Sequence, residues 1–301
     1  DVGLSEGGRP YFVMEYVDGV PIDQYCDRHR LDLQARLHLF LRVADAVAHA
    51  HAELIVHRDI KPSNVLVDAQ GQARLVDFGI AKILDEAYAD PELTLPGSAP
   101  ATPGFASPEQ LAGRSVGTSS DIYQLGLLLH LLLCGLRPFA TRGLSASEVA
   151  LLSREAPRIA PGRRLRALLQ QGERERVDLI AAARGSRAEA LIRALEGDPD
   201  AVVLKAIAAD PAERYAAVPQ FADDVRNLLD GRAVSAHPPS TWYLLRRMMQ
   251  RHRLAAVLVA VLLLGLLGFS IVVGSLAWRL DQARVRAERQ SLLAEQVTEF
   301  F

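Results

Sequence analysis

This sequence contains few cysteines and few lysines, and its net charge is not positive. Its two cysteines, Cys26 and Cys134, lie far apart, one in a polar stretch and one in a leucine-rich stretch. This spacing excludes a disulfide framework and a cysteine-ligated metal site. The formal net charge is −2 and aromatic residues make up only 6%, so the sequence offers no basic, aromatic-rich face for nucleic acid. We therefore expect a protein of a reducing compartment that does not bind nucleic acid.

Long uncharged stretches are also absent, with one exception. Residues 254–278 form a run of 25 residues without a charge, and a bilayer core needs about 20 residues in a helix. Core helices rarely stay apolar on every face over this length, so the run predicts a single transmembrane helix. Arginines flank it on both sides, four before and four after. The distribution of positive charge therefore leaves its orientation open.

The predicted membrane helix divides the chain into four parts. Residues 1–233 have the composition of a globular domain, and 234–253 combine paired prolines with arginines, as a basic juxtamembrane linker does. Residues 254–278 are the membrane helix, and 279–301 predict the helical start of an extracytoplasmic region. A second apolar run, 125–136, is too short to span a bilayer and predicts a buried helix of the globular domain.

Strand and helix patterns alternate within the globular domain. An aromatic and β-branched stretch, 9–19, predicts a strand that ends in an Asp-Gly turn. Apolar residues at helical spacing predict a helix over 33–51. The stretches 54–59 and 64–79 predict short strands, the second folding back at the sequence DAQG. The expected fold class is α+β.

The segment IVHRDIKPSNVLV, residues 55–67, carries a carboxylate, an ammonium group and an amide at Asp59, Lys61 and Asn64. A second carboxylate, Asp77, follows on the neighbouring predicted strand. Transfer of a phosphoryl group needs hard oxygen ligands for Mg²⁺, a cation to neutralise phosphate charge, and a group that orients the attacking hydroxyl. These four side chains have that composition.

The segments HRDIKPSN and DFG, which hold these side chains, resemble the catalytic loop and the metal-binding loop of the protein kinase family. The resemblance implies a protein-kinase-like fold, with a mostly helical C-terminal lobe after a remnant of the N-terminal sheet. It implies that Asp59 accepts the substrate hydroxyl proton, that Lys61 lies beside the γ-phosphate of ATP, and that Asn64 and Asp77 bind Mg²⁺. Lys61 favours serine or threonine as the acceptor. The other positions of the two loops have structural roles in the family: His57, Arg58, Phe78 and Gly79.

The resemblance extends to the nucleotide pocket. The stretch VMEYV resembles the hinge that contacts adenine, with Met14 as the gatekeeper and Glu15, Tyr16 and Val17 as the hinge itself. Leu66 matches the floor of the adenine pocket. ATP is therefore the implied nucleotide.

The stretch ATPGFASPEQ resembles the substrate-facing end of the family's activation segment. Thr102 matches a threonine that contacts the catalytic aspartate, and Glu109 matches a structural acid. Arg214, in DPAERY, matches the partner of that acid, and such a buried pair would cost about 3–5 kcal/mol to break from one side. Asp121 matches the aspartate at a helix start that braces the catalytic loop.

Two hydroxyl residues upstream of that stretch, Thr94 and Ser98, are candidate phosphorylation sites. Arg58, directly before Asp59, is the candidate receiver of their phosphates. An ordinary loop is the alternative reading, because loops often contain proline and serine.

Three parts of a complete kinase are not found among these residues. The family's Gly-rich loop, strand lysine and helix glutamate precede the hinge, whereas the three lysines here, Lys61, Lys82 and Lys205, all follow it. We expect a fragment of a longer kinase that is nearly inactive alone, since losing one preorganised partner typically costs about 10²–10³ in rate. The alternative is a membrane-tethered pseudokinase that acts as a scaffold.

The resemblance also decides the orientation that charge leaves open. ATP and Mg²⁺ are cytoplasmic, so residues 1–253 are expected in the cytosol and 279–301 outside. The arrangement resembles bacterial receptor-type Ser/Thr kinases, which are single-pass proteins of the inner or plasma membrane that act in signal transduction. Protein substrates and the membrane are then the expected partners. A homodimer stays open, because Ser270 and Gly274 supply only one pair of small residues for helix packing.

Overall fold

The computed structural model describes residues 2–4, 10–13, 15–77, 104–139, 144–155, 158–237 and 253–298. The chain forms two compact units, Asp1–Pro239 and Ser240–Phe301. The first unit carries the small sheets and most of the helices.

The strands of the first unit form two small antiparallel sheets. One sheet pairs β1 (Val2–Leu4) with β2 (Pro10–Phe12), and the other has the order β3 (Gly19–Pro21), β4 (Val65–Asp68), β5 (Ala73–Leu75). Gly19 lies opposite Asp68, and a Cβ at Gly19 would come within 2.9 Å of the carbonyl oxygen of Val67. The close approach of β3 to β4 therefore requires glycine at a position where the sequence predicted only a turn.

The rest of the first unit is mostly helical. Its helices are α1 (Ile22–Arg28), α2 (Leu33–Ala52), α3 (Pro108–Leu111), α4 (Thr118–Cys134), α5 (Ala146–Glu155), α6 (Pro161–Gln170), α7 (Arg174–Ala182), α8 (Ala188–Leu195), α9 (Asp198–Ala206) and α10 (Val218–Asp230). Single 3₁₀ turns lie at Pro62–Asn64 and Pro211–Glu213. The predicted α+β fold, mostly helical with a small sheet, is confirmed.

Helix α4 lies at the centre of the core. Leu125, Leu128 and Leu129 are fully buried, because the helix is apolar on nearly every face. It ends at Gly135, whose φ of 70° is in the left-handed region that glycine adopts without strain. The buried helix predicted over 125–136 is confirmed, and it begins earlier than the apolar run.

Helix α2 leads the chain from the periphery to the middle of the unit. The side chain of Asp32 caps its first turn by accepting a hydrogen bond from Ala35 N at 2.8 Å. One stripe of the helix, including Phe40, Ala44 and Val47, is fully buried and packs against α4 and α10. The helix predicted over 33–51 is confirmed.

Among the described residues, the burial of Arg184 and Arg36 was not predicted from the sequence. Arg184 is 2% exposed and donates to the carbonyl oxygens of Leu133 and Ile180 at 2.6 and 3.0 Å. Arg36 is 1% exposed and donates to the carbonyl oxygen of Leu132 at 3.2 Å. Carbonyl groups at the end of α4 have no partner within the helix, and they provide buried acceptors for both guanidinium groups.

The compact first unit continues after α10. Asp224 on that helix accepts hydrogen bonds from Ser235 N at 2.7 Å and from Ala236 N at 3.0 Å. Val234 is 4% exposed. Side-chain contacts therefore hold the chain to the first unit for several residues after Ala233.

The second unit contains one described helix, α11 (Arg253–Thr298), of 46 residues. At a rise of 1.5 Å per residue it is about 70 Å long. Within the described residues, one segment of this helix, Val261–Gln282, has the length and apolar composition to cross a membrane. It overlaps the run predicted at 254–278. The helix continues through 279–298, as the sequence predicted.

Candidate active site

The loop between α2 and β4 is held by side chains from helix α4. The backbone N–H groups of His57 and Arg58 donate to the two carboxylate oxygens of Asp121, each at 2.8 Å, and Asp121 is fully buried. His51 Nε2, at the end of α2, lies 2.8 Å from the same carboxylate. The strand predicted at 54–59 is wrong. The N–H groups that a strand would pair with a neighbour are bound here by a side chain.

Asp59, Lys61 and Asn64 form one hydrogen-bonded cluster on this loop. Lys61 Nζ lies 2.7 Å from Asp59 Oδ2. Asn64 Nδ2 donates to the same oxygen at 3.1 Å and to the Asp59 carbonyl oxygen at 2.9 Å. The side chains of Asp59 and Lys61 are 18% and 20% exposed, so a ligand can reach both. Arg58 has a φ of 67°, and non-glycine residues in this region occur often at functional sites.

His57 is fully buried and connects the loop to the end of β5. Its Nε2 lies 3.2 Å from the carbonyl oxygen of Val76, and its Nδ1 lies 3.3 Å from Asp59 N. Burial lowers the pKa of His57, so the ring is neutral at pH 7. The two contacts then fit one tautomer, with Nε2 as the donor and Nδ1 as the acceptor.

Asp77 and Asn64 are brought near one another by the backbone. Val76 N donates to the Asn64 carbonyl oxygen at 2.9 Å, and Asp77 follows with a φ of 57°. Asn64 binds Asp59 through its amide nitrogen, and its amide oxygen accepts from Ser63 Oγ at 3.2 Å. An amide oxygen and a carboxylate are hard ligands that suit Mg²⁺, which usually completes its shell with water and substrate phosphates. The donor set of Asn64 and Asp77 therefore fits the predicted ion.

The predicted adenine-contacting residues lie directly before β3. Tyr16 is 85% exposed, and Glu15 Oε1 lies 3.9 Å from Arg74 Nη1 on β5. Val17 is half-buried. Leu66 lies in β4, the strand that pairs with β3. The sheet therefore places the segment that follows Val17 beside the strand that carries Leu66.

Glu109, in the first turn of α3, pairs with Arg214. The Nη1 and Nη2 groups of Arg214 donate to the two carboxylate oxygens at 2.7 and 2.9 Å, and Ser120 Oγ donates to the same carboxylate at 2.6 Å. Burial raises the pKa of Glu109, but the hydrogen bonds from Arg214 and Ser120 outweigh it and lower that pKa below its ordinary value. The pair connects α3 to the segment after α9.

A cavity of about 340 Å³ opens beside the Asp59 cluster. Charged, polar and apolar side chains share its lining, among them Asp23, Lys61, Ser63, Phe105, Leu131 and Arg137. The guanidinium of Arg137 lies over the ring of Phe105 at 4.9 Å. The cavity is large enough for one or two side chains of a peptide.

Six predicted site residues lie outside the described residues: Met14, Phe78, Gly79, Thr94, Ser98 and Thr102. Sequence reasoning also missed two polar side chains behind the loop. They are His51, which lies 2.8 Å from Asp121, and Gln124, which is 1% exposed. A polar residue inside an otherwise apolar helix was the available signal for Gln124.

The sequence is similar to protein kinases over most of the first unit. A family model described as protein kinase domain matches residues 4–182. The serine/threonine-protein kinase PknA of Mycobacterium tuberculosis is 36% identical over 158 residues, which are 52% of this chain and 36% of PknA.

Two further relatives match a longer part of the chain. The serine/threonine-protein kinase Pkn1 of Myxococcus xanthus is 36% identical over 217 residues, 71% of this chain and 27% of Pkn1. The serine/threonine-protein kinase PrkC of Bacillus subtilis is 32% identical over 221 residues, 73% of this chain and 29% of PrkC. The chain thus spans about a third or less of the length of these curated relatives.

Proposed function

Because this chain belongs to the protein kinase family, we propose that it is the catalytic part of a Ser/Thr protein kinase. The enzyme transfers the γ-phosphate of ATP to serine and threonine hydroxyls of protein substrates. The observation that carries the proposal is the cluster in which Lys61 and Asn64 both contact Asp59 Oδ2, at 2.7 and 3.1 Å. The names of the relatives support the choice of serine and threonine as acceptors.

The proposed roles follow from these contacts. Asp59 accepts the proton of the attacking hydroxyl through its carboxylate. Asn64 orients Asp59 through its amide nitrogen, and Lys61 supplies the positive charge that the transferred phosphate requires. Asn64 and Asp77 would hold Mg²⁺ through their oxygens, and the ion, when bound, neutralises the charge of the ATP phosphates.

The remaining predicted residues complete the proposal. Met14, Glu15, Tyr16 and Val17 form the adenine-contacting hinge and Leu66 the floor of its pocket. A phosphate on Thr94 or Ser98 is received by Arg58. Unchanged activity of the full-length protein after both hydroxyl residues are replaced by alanine would rule out this regulation.

The decisive experiment compares two aspartates in the full-length protein. Asp59→Asn should lower kcat for phosphate transfer from ATP to protein by at least about 10²-fold, the usual contribution of a positioned base. Asp178→Asn is the matched control, because the side chain of Asp178 is 52% exposed and lies in a surface ion pair with Arg174. Equal activity of Asp59→Asn and wild type would overturn the proposed function.

The 301 residues alone are proposed to be nearly inactive. No lysine precedes the hinge and no G-x-G-x-x-G pattern occurs there, so these residues do not supply the cation and the backbone donors that bind the ATP phosphates in the family. The same observation favours a second candidate function, a membrane-tethered scaffold without catalysis. A full-length wild type that binds partner proteins but transfers no phosphate would support the scaffold.

The candidate membrane segment supports a single-pass protein of the inner or plasma membrane. We divide the chain into a kinase domain (1–233), a linker (234–253), a membrane helix (254–278) and the start of an extracytoplasmic region (279–301), with the kinase domain in the cytosol. A cysteine introduced at Ser291 should then react with a membrane-impermeant thiol reagent added to intact cells. If that cysteine were protected from the reagent, the opposite topology would hold, with residues 279–301 in the cytosol.

A further inference from the structure

Two glutamine side chains bind the loop backbone on both sides of Asp59. Gln124 Oε1 accepts a hydrogen bond from Ile60 N at 2.8 Å, and Gln124 Nε2 donates to the Arg58 carbonyl oxygen at 3.0 Å. Gln110 Nε2 donates to the same carbonyl oxygen at 2.7 Å. The peptide groups before and after Asp59 are therefore both held by side-chain amides.

The two glutamines also bind each other and the start of α3. Gln124 Nε2 donates to Gln110 Oε1 at 2.9 Å, and that oxygen also accepts from Ser107 N at 2.9 Å. Ser107 Oγ in turn accepts from Gln110 N at 3.3 Å, which completes a capping box. A continuous chain of hydrogen bonds thus runs from the segment before α3 to the backbone of Asp59.

The chemistry of these contacts requires an amide. Gln124 uses its oxygen as an acceptor and both hydrogens of its nitrogen as donors, so these three contacts can form at once. Gln124 is 1% exposed, and water cannot replace a lost partner there. A methionine of similar length has no amide oxygen to accept from Ile60 N and no N–H group to donate to the Arg58 carbonyl oxygen. A glutamate keeps the acceptor but lacks the donors.

We propose that Gln124 and Gln110 are positioning residues that set the orientation of Asp59 and couple it to the segment that begins α3. The inference rests on the proposed phosphotransfer by Asp59. The glutamines do not touch the reacting atoms; they act through the two peptide groups that flank Asp59.

The first test measures kinetics in the full-length protein. Gln124→Met should lower kcat by at least about tenfold, because a displacement of about 1 Å at a reacting group can cost 10²-fold. KM for ATP should change by less than about twofold, since the nucleotide contacts are elsewhere. Gln110→Met should have a smaller effect, because Gln124 still holds Arg58 O. Gln171→Met, at the exposed C-terminal end of α6, is the matched control and should resemble wild type.

The second test uses pH. Gln124→Glu keeps an acceptor for Ile60 N, but its carboxylate faces the Arg58 carbonyl and Gln110 Oε1 without a donor. Protonation restores one O–H donor, and burial can raise the pKa of a glutamate to about 8–9, so the ratio of its kcat to that of wild type should rise as pH falls from about 9 to about 6. The corresponding ratio for Gln124→Met should stay constant. A constant ratio for both variants would overturn the proposed hydrogen-bonding role.

The third test does not depend on catalysis. Amide hydrogen exchange at Ile60 should be slow in wild type and clearly faster in Gln124→Met, while exchange in the core of α4 is unchanged. Equal protection of Ile60 in both proteins would overturn the anchoring, whatever the activity. Faster exchange at Ile60 together with an unchanged kcat would overturn the claim that Gln124 sets the orientation of Asp59. A wild type without phosphotransfer would reject the proposed function, while the exchange rate would still decide the anchoring.

Discussion

The loop that carries Asp59 and the helices α6 to α8 both depend on polar side-chain contacts, but the two regions differ in burial. Behind the loop, Asp121 and Gln124 are 0% and 1% exposed and bind backbone groups. Along α6 to α8 the ion pairs lie at the surface. In the pair between Arg174 and Glu189 the side chains are 64% and 51% exposed.

This difference decides what each contact contributes. When a buried partner is removed, the group left behind loses its hydrogen bond and cannot regain it from water, which costs about 1–3 kcal/mol for a neutral group. An exposed group returns to water instead, so a surface pair adds little. We therefore expect the buried contacts behind the loop to dominate activity, and buried pairs to contribute more to stability than surface pairs.

The largest effect is expected from Asp121→Ala, which removes the acceptor for two backbone N–H groups of the loop. Displacement of Asp59 should lower phosphotransfer by the full-length protein at least about 10²-fold. The control is Asp223→Ala on α10, whose side chain is 69% exposed. If both variants kept wild-type kcat, the loop would not depend on its buried contacts and the comparison would fail.

The second effect concerns stability at the Glu109 pair. Arg214→Leu should lower the free energy of unfolding by about 3–5 kcal/mol, because a buried carboxylate is left without its partner. Urea unfolding followed by circular dichroism measures this difference. Adding Glu109→Leu should restore part of the loss. If the loss of unfolding free energy in the double variant equalled the sum of the losses in the two single variants, the pairing of Glu109 with Arg214 would not be the cause.

A third prediction concerns the charge of a buried carboxylate, Asp200, that is bound by a backbone N–H group. Asp200 on α9 accepts from Gly162 N at 2.8 Å, and burial raises its pKa to about 6. Three ionisable groups act on it electrostatically: Glu196, His130 and Arg163.

The folded protein binds this proton more tightly than the unfolded chain, so the contribution of Asp200 to stability falls as pH rises from about 4 to above 6. Asp200→Asn keeps an acceptor for Gly162 N and should stabilise the protein at pH 7 by at most about 3 kcal/mol. The gain should disappear below about pH 4, where wild-type Asp200 is neutral in both states. A gain independent of pH would contradict the role of the charge. Thermal unfolding across this pH range measures the difference.

The smallest effect is expected at the surface. Arg166 donates to Glu196 at 2.7 Å and lowers the pKa of that carboxyl, yet both side chains are open to solvent. Arg166→Gln should leave the unfolding midpoint within error of wild type, and the small remainder should vanish in high salt. A loss comparable to that of Arg214→Leu would show that burial is not what separates the two regions.

Local patterns predicted the elements whose structure depends on near neighbours. The helix over 33–51 followed from apolar spacing, and the buried helix around 125–136 followed from a run without charge. The strand predicted at 54–59 was wrong. Ile55 and Val56 suggested strand pairing, but the side chain of Asp121, far away in the sequence, binds the backbone N–H groups of the two residues that follow them. Arg184 was likewise beyond prediction, since its carbonyl acceptors on α4 lie 51 and 53 residues away.

Short stretches of sequence were enough to predict the grouping of Asp59, Lys61 and Asn64 and the candidate membrane segment, because each depends on neighbouring residues. The contacts that hold the loop of Asp59 in place became visible only in the folded chain. The groups that bind the loop backbone include two from α4, with Asp121 lying 63 residues after Arg58 and Gln124 lying 64 residues after Ile60, and Gln110 from α3, 52 residues after Arg58. A carboxylate or amide side chain can hold a loop only where folding buries it beside backbone groups that have no other partner. No local sequence pattern specifies which distant residues folding will bring together in this way.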